Sequence, residues 1–375
     1  MLRALVMTVA LGTAAGHAAA DGAGAEAGAG AAAGASGAAG AGDPAEPHHT
    51  ATHEAPLPVK VLVINLFGLE AAPWIAALHP EREIRVPGLS SNYPAVKCTA
   101  EAICQVTTGM GHANAAASVM AVLYNGLFDL RQTYFLIAGI AGIDPERGTI
   151  GSAAWARYAV DSGIAHEIDA RELPPGWQDG YFGVLTKSPD EMPKLEYGTE
   201  VYQLDEALLD RALALSRAAV LEDGADLQAY RAHYGFAPAN QPPAVIQCDT
   251  LSGDTWWAGR RLGEHARRWT RLLTAGKGVY CTTQEEDNAV LAALTRGAQS
   301  GLVNLHRVAV LRSGSDFDRP YGHQGVLESL QTQLALPDAG RVAADNLVHA
   351  GMPLVQDIVA HWNEWQQGVP AAAAP

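Results

Sequence analysis

Short, nearly continuous apolar runs alternate along this sequence with longer segments of helical periodicity, and this alternation constrains the fold more than any other feature. Residues 59–64 and 133–137 are rich in apolar side chains, whereas 71–78 and 112–124 carry them at helical spacing. A strand that is apolar at almost every position is buried on both faces, and parallel strands are joined by helical crossovers. We therefore predict an α/β fold with a mixed, mostly parallel central sheet flanked by helices.

The second half of the chain repeats this alternation after a segment of a different kind. Residues 160–243 are punctuated by prolines and glycines, with one helix predicted near 204–221, and we interpret them as a loop-rich insertion. Beyond it we predict strands at 244–248, 278–282 and 308–312 and helices at 259–273, 286–300 and 339–366. The sequence thus predicts one α/β domain over residues 59–366, followed by a tail at 367–375.

The first 58 residues are predicted to lie outside this domain. Arg3, the apolar stretch 4–11 and the small residues 18–20 form the pattern of a secretory signal peptide over residues 1–20, and a buried N-terminal helix is the alternative. Residues 21–58 are mostly Ala and Gly and then Pro-rich. Such a segment cannot bury enough side-chain area to offset chain entropy, so we predict a flexible, disordered linker. This organisation predicts a secreted or periplasmic protein.

Three histidines lie in the predicted linker, namely His48, His49 and His53. They could bind a metal ion, but the linker offers no fixed geometry and no neighbouring Cys or Asp ligand. We therefore interpret them as part of a solvated segment and predict no metal site.

The four cysteines are predicted to form two disulfides. Export would place them in an oxidising compartment, where four cysteines can pair in three ways. Cys98 and Cys104 flank a short turn between two strand-like segments, and Cys248 and Cys281 each end an apolar strand-like run. We therefore predict the pairs Cys98–Cys104 and Cys248–Cys281. The even count and the lack of a CxxC pair argue against zinc binding or redox chemistry.

The charge balance argues against two classes of partner. The chain has 40 acidic and 25 basic residues, for a net charge of −15, which becomes −15 − 1 = −16 once Arg3 is removed with the signal peptide. Proteins that bind nucleic acids or anionic membranes present basic faces, so we predict neither partner. Beyond the N-terminus no stretch approaches the roughly 20 uninterrupted apolar residues that cross a bilayer, so we predict no membrane-spanning segment.

Polar clusters follow three predicted strands of the second half, at residues 252–257, 284–288 and 312–318. Any one of them alone is typical of a helix N-cap. Three at consecutive strand ends point to one crevice, because ligands of such sheets bind beyond the carboxyl ends of the strands. Glycine-rich turns predicted at 108–111 and 139–142 would let backbone N–H groups approach a ligand there. The sequence therefore predicts a single ligand site.

The order of these motifs resembles that of the nucleoside phosphorylase and nucleosidase superfamily. The matching segments are Thr107-Thr108-Gly109-Met110-Gly111, Ala138-Gly139-Ile140-Ala141-Gly142, Ser252-Gly253-Asp254, the Glu-rich end of the strand before Glu286, and Arg312-x-x-Ser315-Asp316. The sequence around these segments resembles the purine nucleoside permease family, which shares that fold, even more closely. The resemblance covers residues 58–366 and implies a nucleoside phosphorylase-like architecture.

The resemblance implies catalytic roles for two carboxyl groups and a binding role for one aromatic ring. Asp316 matches the carboxyl that protonates or hydrogen-bonds purine N7, Glu286 the glutamate that accepts hydrogen bonds from the ribose 2′- and 3′-hydroxyls, and Trp256 the ring that stacks on the base. Cleavage of the C1′–N9 bond develops positive charge on the ribose and negative charge on the purine, so an acid is needed at the base and a hydroxyl ligand at the sugar. Donating a proton near neutrality requires a desolvated pocket that lifts the pKa of Asp316 to about 6–7.

The remaining candidate ligand-binding residues are Glu70, Gly111, His112, Gly139, Ala141, Gly142, Ser252, Asp254, Gln284, Glu285 and Ser315. Glu70 lies near a strand end and is a candidate for activating water. The chain departs from the superfamily pattern at Ile140, where the phosphate-contacting residue is usually Ser, and at Glu285, which adds an unexpected charge. Both departures count against phosphate as a co-substrate, although they leave hydrolysis by water open, and no other cofactor is expected.

Three functions fit these expectations. The first is an exported protein of nucleoside uptake or salvage that binds a purine nucleoside and cleaves its N-glycosidic bond, as a nucleosidase or a phosphorylase. The second is a non-catalytic component that captures nucleosides for a separate membrane transporter, and the third is a structural or sensing domain. Related folds often form homo-oligomers, but the sequence does not report the oligomeric state. Three carboxylates at strand ends exceed what binding a neutral nucleoside requires, which favours catalysis.

Overall fold

A computed structural model describes residues 55–371. The predicted signal peptide, most of the predicted linker and its three histidines lie outside the described residues. The fold begins at Leu57–Pro58, which pairs with Phe128–Asp129, so the last residues assigned to the linker already belong to a strand.

The sixteen strands of the described chain are β1 (Leu57–Pro58), β2 (Val61–Asn65), β3 (Arg82–Arg85), β4 (Ala95–Cys98), β5 (Ile103–Thr107), β6 (Phe128–Asp129), β7 (Tyr134–Ile143), β8 (Ala153–Trp155), β9 (Tyr158–Asp161), β10 (His166–Glu167), β11 (Tyr181–Phe182), β12 (Val201–Gln203), β13 (Val245–Gln247), β14 (Asp249–Ser252), β15 (Tyr280–Gln284) and β16 (Val308–Phe317). Its nine α-helices are α1 (Gly68–Leu78), α2 (His112–Tyr124), α3 (Glu206–Ser216), α4 (Ala225–Arg231), α5 (Arg260–Leu273), α6 (Asp287–Gln299), α7 (Val326–Leu334), α8 (Ala339–Ala360) and α9 (Trp362–Trp365).

The central sheet is mixed and has 12 strands. Its main path runs β12-β9-β14-β15-β7-β2-β5-β4-β3, and β16 pairs with both β7 and β8. The pairings of β2 with β5 and β7, of β7 with β16, and of β14 with β9 and β15 are parallel, whereas β15 with β7 and the edge hairpins are antiparallel. The predicted α/β class with a mixed central sheet is confirmed.

Two central strands are longer than the sequence pattern predicts. β7 continues through residues 139–142, which we predicted as a glycine-rich turn, and β16 continues through the cluster predicted to follow a strand at Arg312. The two strands pair over almost their whole length, with a bulge between Gly314 and Asp316. The glycines of β7 are needed because neighbouring side chains cross directly over the strand, so they do not mark its end.

Helices cover both faces of the sheet. On one face α2 and α6 pack over β2, β5 and β7 through residues such as Val119 and Val290. On the other face α1, α3 and α8 enclose Trp74, Trp155 and Leu347, all of which are fully buried. Strands buried between two helical layers must be apolar on both sides, which explains the continuous apolar runs.

Both predicted disulfides are present in the structure. Cys98–Cys104 joins β4 and β5, and Cys248–Cys281 ties the residue between β13 and β14 to β15. The second bridge therefore lies in the part of the sheet from which residues 284–286 emerge. No helix of residues 55–371 is long and apolar enough to span a membrane.

Candidate functional site

A cavity of about 360 Å³ opens where β14, β15 and the bulge of β16 meet the carboxyl-terminal end of β7. It is lined by Phe67, Glu70, Met110, Ile140, Ala141, Gly142, Gly253, Thr255, Trp256, Trp257, Thr283, Gln284, Glu285, Glu286, Ser315 and Asp316. The lining therefore combines aromatic and apolar surface with four carboxyl groups. Within the described chain none of the lining residues is Lys, Arg or His.

Nine of the fourteen residues predicted for the site line this cavity. They are Glu70, Ala141, Gly142, Trp256, Gln284, Glu285, Glu286, Ser315 and Asp316. The other five, Gly111, His112, Gly139, Ser252 and Asp254, are not among its lining residues. Gly111 and Ser252 hydrogen-bond to lining residues, His112 and Asp254 contact each other, and Gly139 leaves space for a buried side chain.

Asp316 lies in the wall of the cavity at the bulge of β16, not at the start of a helix as its N-cap alternative required. The Ser315 hydroxyl donates a 2.8 Å hydrogen bond to one Asp316 carboxylate oxygen. Burial raises the pKa of Asp316 to about 6, although the Ser315 hydroxyl and the Trp256 indole act in the opposite direction. A carboxyl group with this pKa can hold a proton near neutral pH and donate it.

Glu286 occupies the N-cap position of α6 and is 4% exposed. The Gly111 backbone N–H donates to one of its carboxylate oxygens at 3.1 Å, and an Arg312 guanidinium nitrogen lies 3.3 Å from the other. Burial nevertheless raises the pKa of Glu286 above its ordinary value. Gly111 thus positions Glu286 through its backbone, and it is not a cavity residue itself.

Arg312 is the central cation beneath the cavity, and its side chain is 1% exposed. It donates to Asp287 at 2.6 Å, to the side-chain oxygen of Gln284 at 3.2 Å and to the Ile140 backbone carbonyl at 3.1 Å. A buried guanidinium needs such partners because its desolvation is otherwise costly. With five donors in one plane, Arg312 fixes the end of β15 against β7 and β16.

Glu70 points from the first turn of α1 toward the carboxyl-terminal part of β7. Its carboxyl group accepts hydrogen bonds from the backbone N–H groups of Leu66 at 2.7 Å and Ile140 at 2.8 Å. Burial and the charge of Glu286 raise the pKa of Glu70 to about 8, while Arg312 opposes this shift. In the free protein Glu70 is therefore mostly protonated at neutral pH.

Residues 253–257, which we call the tryptophan loop, form one side of the cavity mouth. Trp256 lines the cavity and remains 57% exposed. Asp254 accepts a 2.7 Å hydrogen bond from the backbone N–H of His112 at the start of α2, and the His112 ring lies 3.4 Å from the same carboxylate. His112 and Asp254 therefore hold the tryptophan loop against α2.

Gly139 and Ser252 serve the packing of the site. A Cβ atom added at Gly139 would lie 2.3 Å from the Arg312 guanidinium and 2.9 Å from Glu70, so only glycine fits there. The Ser252 hydroxyl oxygen accepts hydrogen bonds from the Gln284 side chain at 2.7 Å and from the Asn288 backbone at 3.1 Å. The Arg312 guanidinium occupies the space that a side chain at this position would need, and the predicted contact of the Gly139 backbone with a ligand stays a prediction.

The predicted list of candidate residues omits seven lining residues, namely Phe67, Met110, Ile140, Gly253, Thr255, Trp257 and Thr283. Phe67 and Met110 come from the turns that follow β2 and β5, and apolar residues in turns carry no chemical signature. Thr255 and Trp257 flank Trp256. The adjacent pair of tryptophans in a predicted turn could have indicated that Trp257 also lines the site. Among residues 55–371 no group of three or more His, Cys, Asp or Glu residues is arranged to hold a metal ion.

Comparison with known proteins supports one family. Residues 58–370 match the profile of the family described as purine nucleoside permease. A Schizosaccharomyces pombe protein named "Probable purine nucleoside permease" is 43% identical over 320 residues, which are 82% of this chain and 90% of that protein. A Candida albicans protein named purine nucleoside permease is 38% identical over 326 residues, which are 84% of this chain and 80% of its own.

Solved structures share the fold at low sequence identity. A Helicobacter pylori 5′-methylthioadenosine/S-adenosyl homocysteine nucleosidase complexed with a substituted pyrrolidin-3-ol matches with a TM-score of 0.51 and 13% identity, over 80% of this chain and 98% of that one. A mutant of that nucleosidase with 5′-methylthioadenosine in the active site matches with the same TM-score and identity, over 80% and 99% of the two chains. The nucleoside phosphorylase-like architecture is thereby confirmed.

Proposed function

Because the chain belongs to the purine nucleoside permease family, we propose that it binds a purine nucleoside in this cavity and hydrolyses the N-glycosidic bond. The proposal rests on one observation. Asp316, Glu286 and Trp256 line the same cavity, and its volume of about 360 Å³ suits a nucleoside. The relatives' names supply the ligand class, and the chemistry of the lining residues supplies the reaction.

Asp316 is proposed as the acid that protonates the purine. As the C1′–N9 bond breaks, its electron pair moves into the purine ring, and a proton from Asp316 neutralises the leaving base. With a pKa of about 6, about one Asp316 in ten is protonated at pH 7, against about one in a thousand for an aspartate with a pKa of about 3.9. Burial thus raises the supply of acid about a hundredfold.

Glu286 is proposed to bind the ribose hydroxyls and to stabilise the positive charge that develops on the sugar. Its carboxylate is fixed by Gly111 and Arg312 before substrate arrives. A preorganised carboxylate in a partly dehydrated site stabilises a developing cation more than it stabilises the neutral ground state. Glu70 is proposed as the base: in the molecules whose Glu70 has released its proton to solvent before the bond breaks, the carboxylate accepts a proton from the attacking water.

Water is favoured over phosphate as the attacking group. Phosphate is an anion, and two adjacent residues of the cavity lining, Glu285 and Glu286, carry carboxyl groups whose ionised forms repel it. The nearest guanidinium, Arg312, is already engaged by Asp287 and Glu286. Ile140 offers no hydroxyl where a phosphate contact is expected. Hydrolysis needs none of these contacts.

A non-catalytic role in nucleoside capture is the second candidate, and the exposed Trp256 ring in the cavity lining favours it because a ring can stack on a bound base without any reaction. In both roles the protein acts in nucleoside uptake or salvage, and we propose that it does so outside the cytoplasm. The two disulfides support this location, since disulfides persist in oxidising compartments.

Incubating the purified protein with inosine, adenosine or guanosine, each with and without phosphate, separates these functions. We expect chromatography to show free purine and ribose in the absence of phosphate, with no increase when phosphate is added. Release of base only in the presence of phosphate would show phosphorolysis and contradict hydrolysis. Saturable binding of a nucleoside that stays intact would show the non-catalytic capture role.

Asp316→Asn is the matched test of the acid. The variant should lower base release at least a hundredfold, which is the usual contribution of general acid catalysis. The dissociation constant for inosine should change by less than about tenfold, since one hydrogen bond is altered. Asp210→Asn, the same chemical change at an exposed position of α3, is the control and should leave both values unchanged.

A further inference from the structure

Glu285 has no role in the reaction described above, although it lines the cavity. The side chain is half-buried, and within the described chain it makes no hydrogen bond and no ion pair. Its neighbour Glu286 already serves the ribose, and Arg312 is engaged by Glu286 and Asp287. The cavity therefore contains one carboxylate that no group of the protein neutralises.

The charged groups that face Glu285 do not neutralise its negative charge. Burial raises the pKa of Glu285, the charges of Glu286 and Asp254 add to this, and Arg312 and His112 lower it. Both basic groups have acidic partners of their own, Asp287 for Arg312 and Asp254 for His112. A cation entering the cavity would favour the ionised form of Glu285 and would gain from it in return.

Aromatic rings line the same space. Phe67, Trp256 and Trp257 contribute to the lining, and the face of an indole or phenyl ring attracts a positive charge, Trp most strongly. Carboxylates and aromatic faces together form the surroundings that recognise an organic cation, and within the described lining no basic side chain opposes one.

We propose that this cavity selects nucleosides whose base carries a fixed positive charge, such as an N-ribosylpyridinium, over neutral nucleosides of the same shape. The inference rests on the proposed function, because it assigns the substrate class of the same site. It does not require that the bound nucleoside be cleaved.

A cationic base also changes what the reaction needs. When the C1′–N bond breaks, both electrons pass to the ring nitrogen and cancel its positive charge, so the base leaves neutral without accepting a proton. Water adds its oxygen to C1′ and releases one proton to solvent or to a carboxylate of the cavity. Cleavage of such a substrate should therefore be insensitive to Asp316→Asn, within about threefold.

The direct test compares 1-ribosyl-3-carbamoylpyridinium with its neutral 1,4-dihydro form, which has almost the same shape. Dissociation constants are measured by rapid mixing with tryptophan fluorescence as the signal, before turnover, and inosine is measured alongside. We expect the cation to bind at least tenfold more tightly than the dihydro form. Equal affinity, or tighter binding of the neutral form, would overturn the inference.

The Glu285→Gln variant tests whether Glu285 is responsible for the preference for the cation. The variant should lower the ratio of the two affinities at least threefold, whereas Glu83→Gln, which removes the same charge from the exposed strand β3, should leave the ratio unchanged. An unaltered ratio in Glu285→Gln would contradict the assignment, and the wild-type ratio decides the matter if that variant does not fold. Binding of inosine without preference for the cation refutes this inference alone, whereas failure to bind any nucleoside refutes the proposed function as well.

Discussion

Replacing Gly139 by alanine tests how the candidate site is built. Gly139 lies in β7 with its α-carbon facing Arg312, and an added Cβ would lie 2.3 Å from a guanidinium nitrogen, 2.7 Å from a Leu66 methyl carbon and 2.9 Å from a Glu70 oxygen. Real Cβ atoms do not approach other atoms closer than 3.0 Å. The guanidinium must therefore shift by at least 0.7 Å, which is the difference between 3.0 and 2.3 Å.

Arg312 has no free direction in which to move. Its nitrogens donate to Asp287, Gln284 and the Ile140 carbonyl, and its side chain is 1% exposed. Overpacking of a core by one methyl group costs about 1–3 kcal/mol, and breaking a buried ion pair costs about 3–5 kcal/mol. Because the shift strains several of these bonds without removing a partner, we expect Gly139→Ala to lower the free energy of unfolding by about 2–4 kcal/mol.

Urea denaturation followed by tryptophan fluorescence measures this loss, and base release measures the damage to the site. Activity should fall at least tenfold, because Arg312 also positions Glu286. Gly325→Ala is the control, since its added Cβ would meet nothing closer than 3.9 Å, and it should cost less than about 1 kcal/mol. A Gly139→Ala protein with wild-type stability and activity would refute the packing described for Arg312.

Three further perturbations have defined outcomes. Base release from a neutral nucleoside should rise about tenfold per pH unit up to pH 6, stay level between pH 6 and 8, and fall about tenfold per pH unit above pH 8, because Asp316 with a pKa of about 6 must be protonated while Glu70 with a pKa of about 8 must be ionised; a profile of initial rates that is flat from pH 5 to 9 would contradict this. Glu286→Gln should shrink the preference for inosine over 2′-deoxyinosine at least fivefold in kcat/KM, and an unchanged ratio would remove Glu286 from ribose binding. Replacing both cysteines of Cys248–Cys281 by alanine should cost about 4 kcal/mol in urea denaturation, against about 2 kcal/mol for Cys98–Cys104, because the bridged segments span 33 and 6 residues; equal costs would show that loop length does not dominate.

The sequence pattern was sufficient for the class of fold and for most of the polar lining. Apolar runs and helical segments are local features, and they predicted β2, α2 and the sheet of the second half. The carboxyl groups of Asp316, Glu285 and Glu286 were found because three polar clusters follow consecutive predicted strands, although any one cluster alone is typical of a helix N-cap. Motif order then placed them in one cavity, as the structure does.

The remaining features of the candidate site depend on contacts between segments that are distant in sequence. The glycines of residues 139–142 were predicted to form a turn, whereas Arg312, far away in sequence, crosses that strand and makes glycine necessary. Asp254 and His112 were predicted as ligand contacts, which stays a prediction, and their contact with each other across 142 positions of sequence could not be predicted. Phe67 and Met110 were missed because an apolar side chain in a turn has no local signature. Such residues can be assigned only once the sheet order is known.

A crystal structure with inosine bound would show whether Asp316, Glu286 and Trp256 together hold a nucleoside, preferably in the Asp316→Asn protein so that the ligand stays intact. We predict the purine beside Trp256 with its N7 within hydrogen-bond distance of residue 316, and the ribose 2′- and 3′-hydroxyls on the Glu286 carboxylate. Inosine bound outside the cavity, or bound inside it with the ribose toward residue 316, would contradict the account.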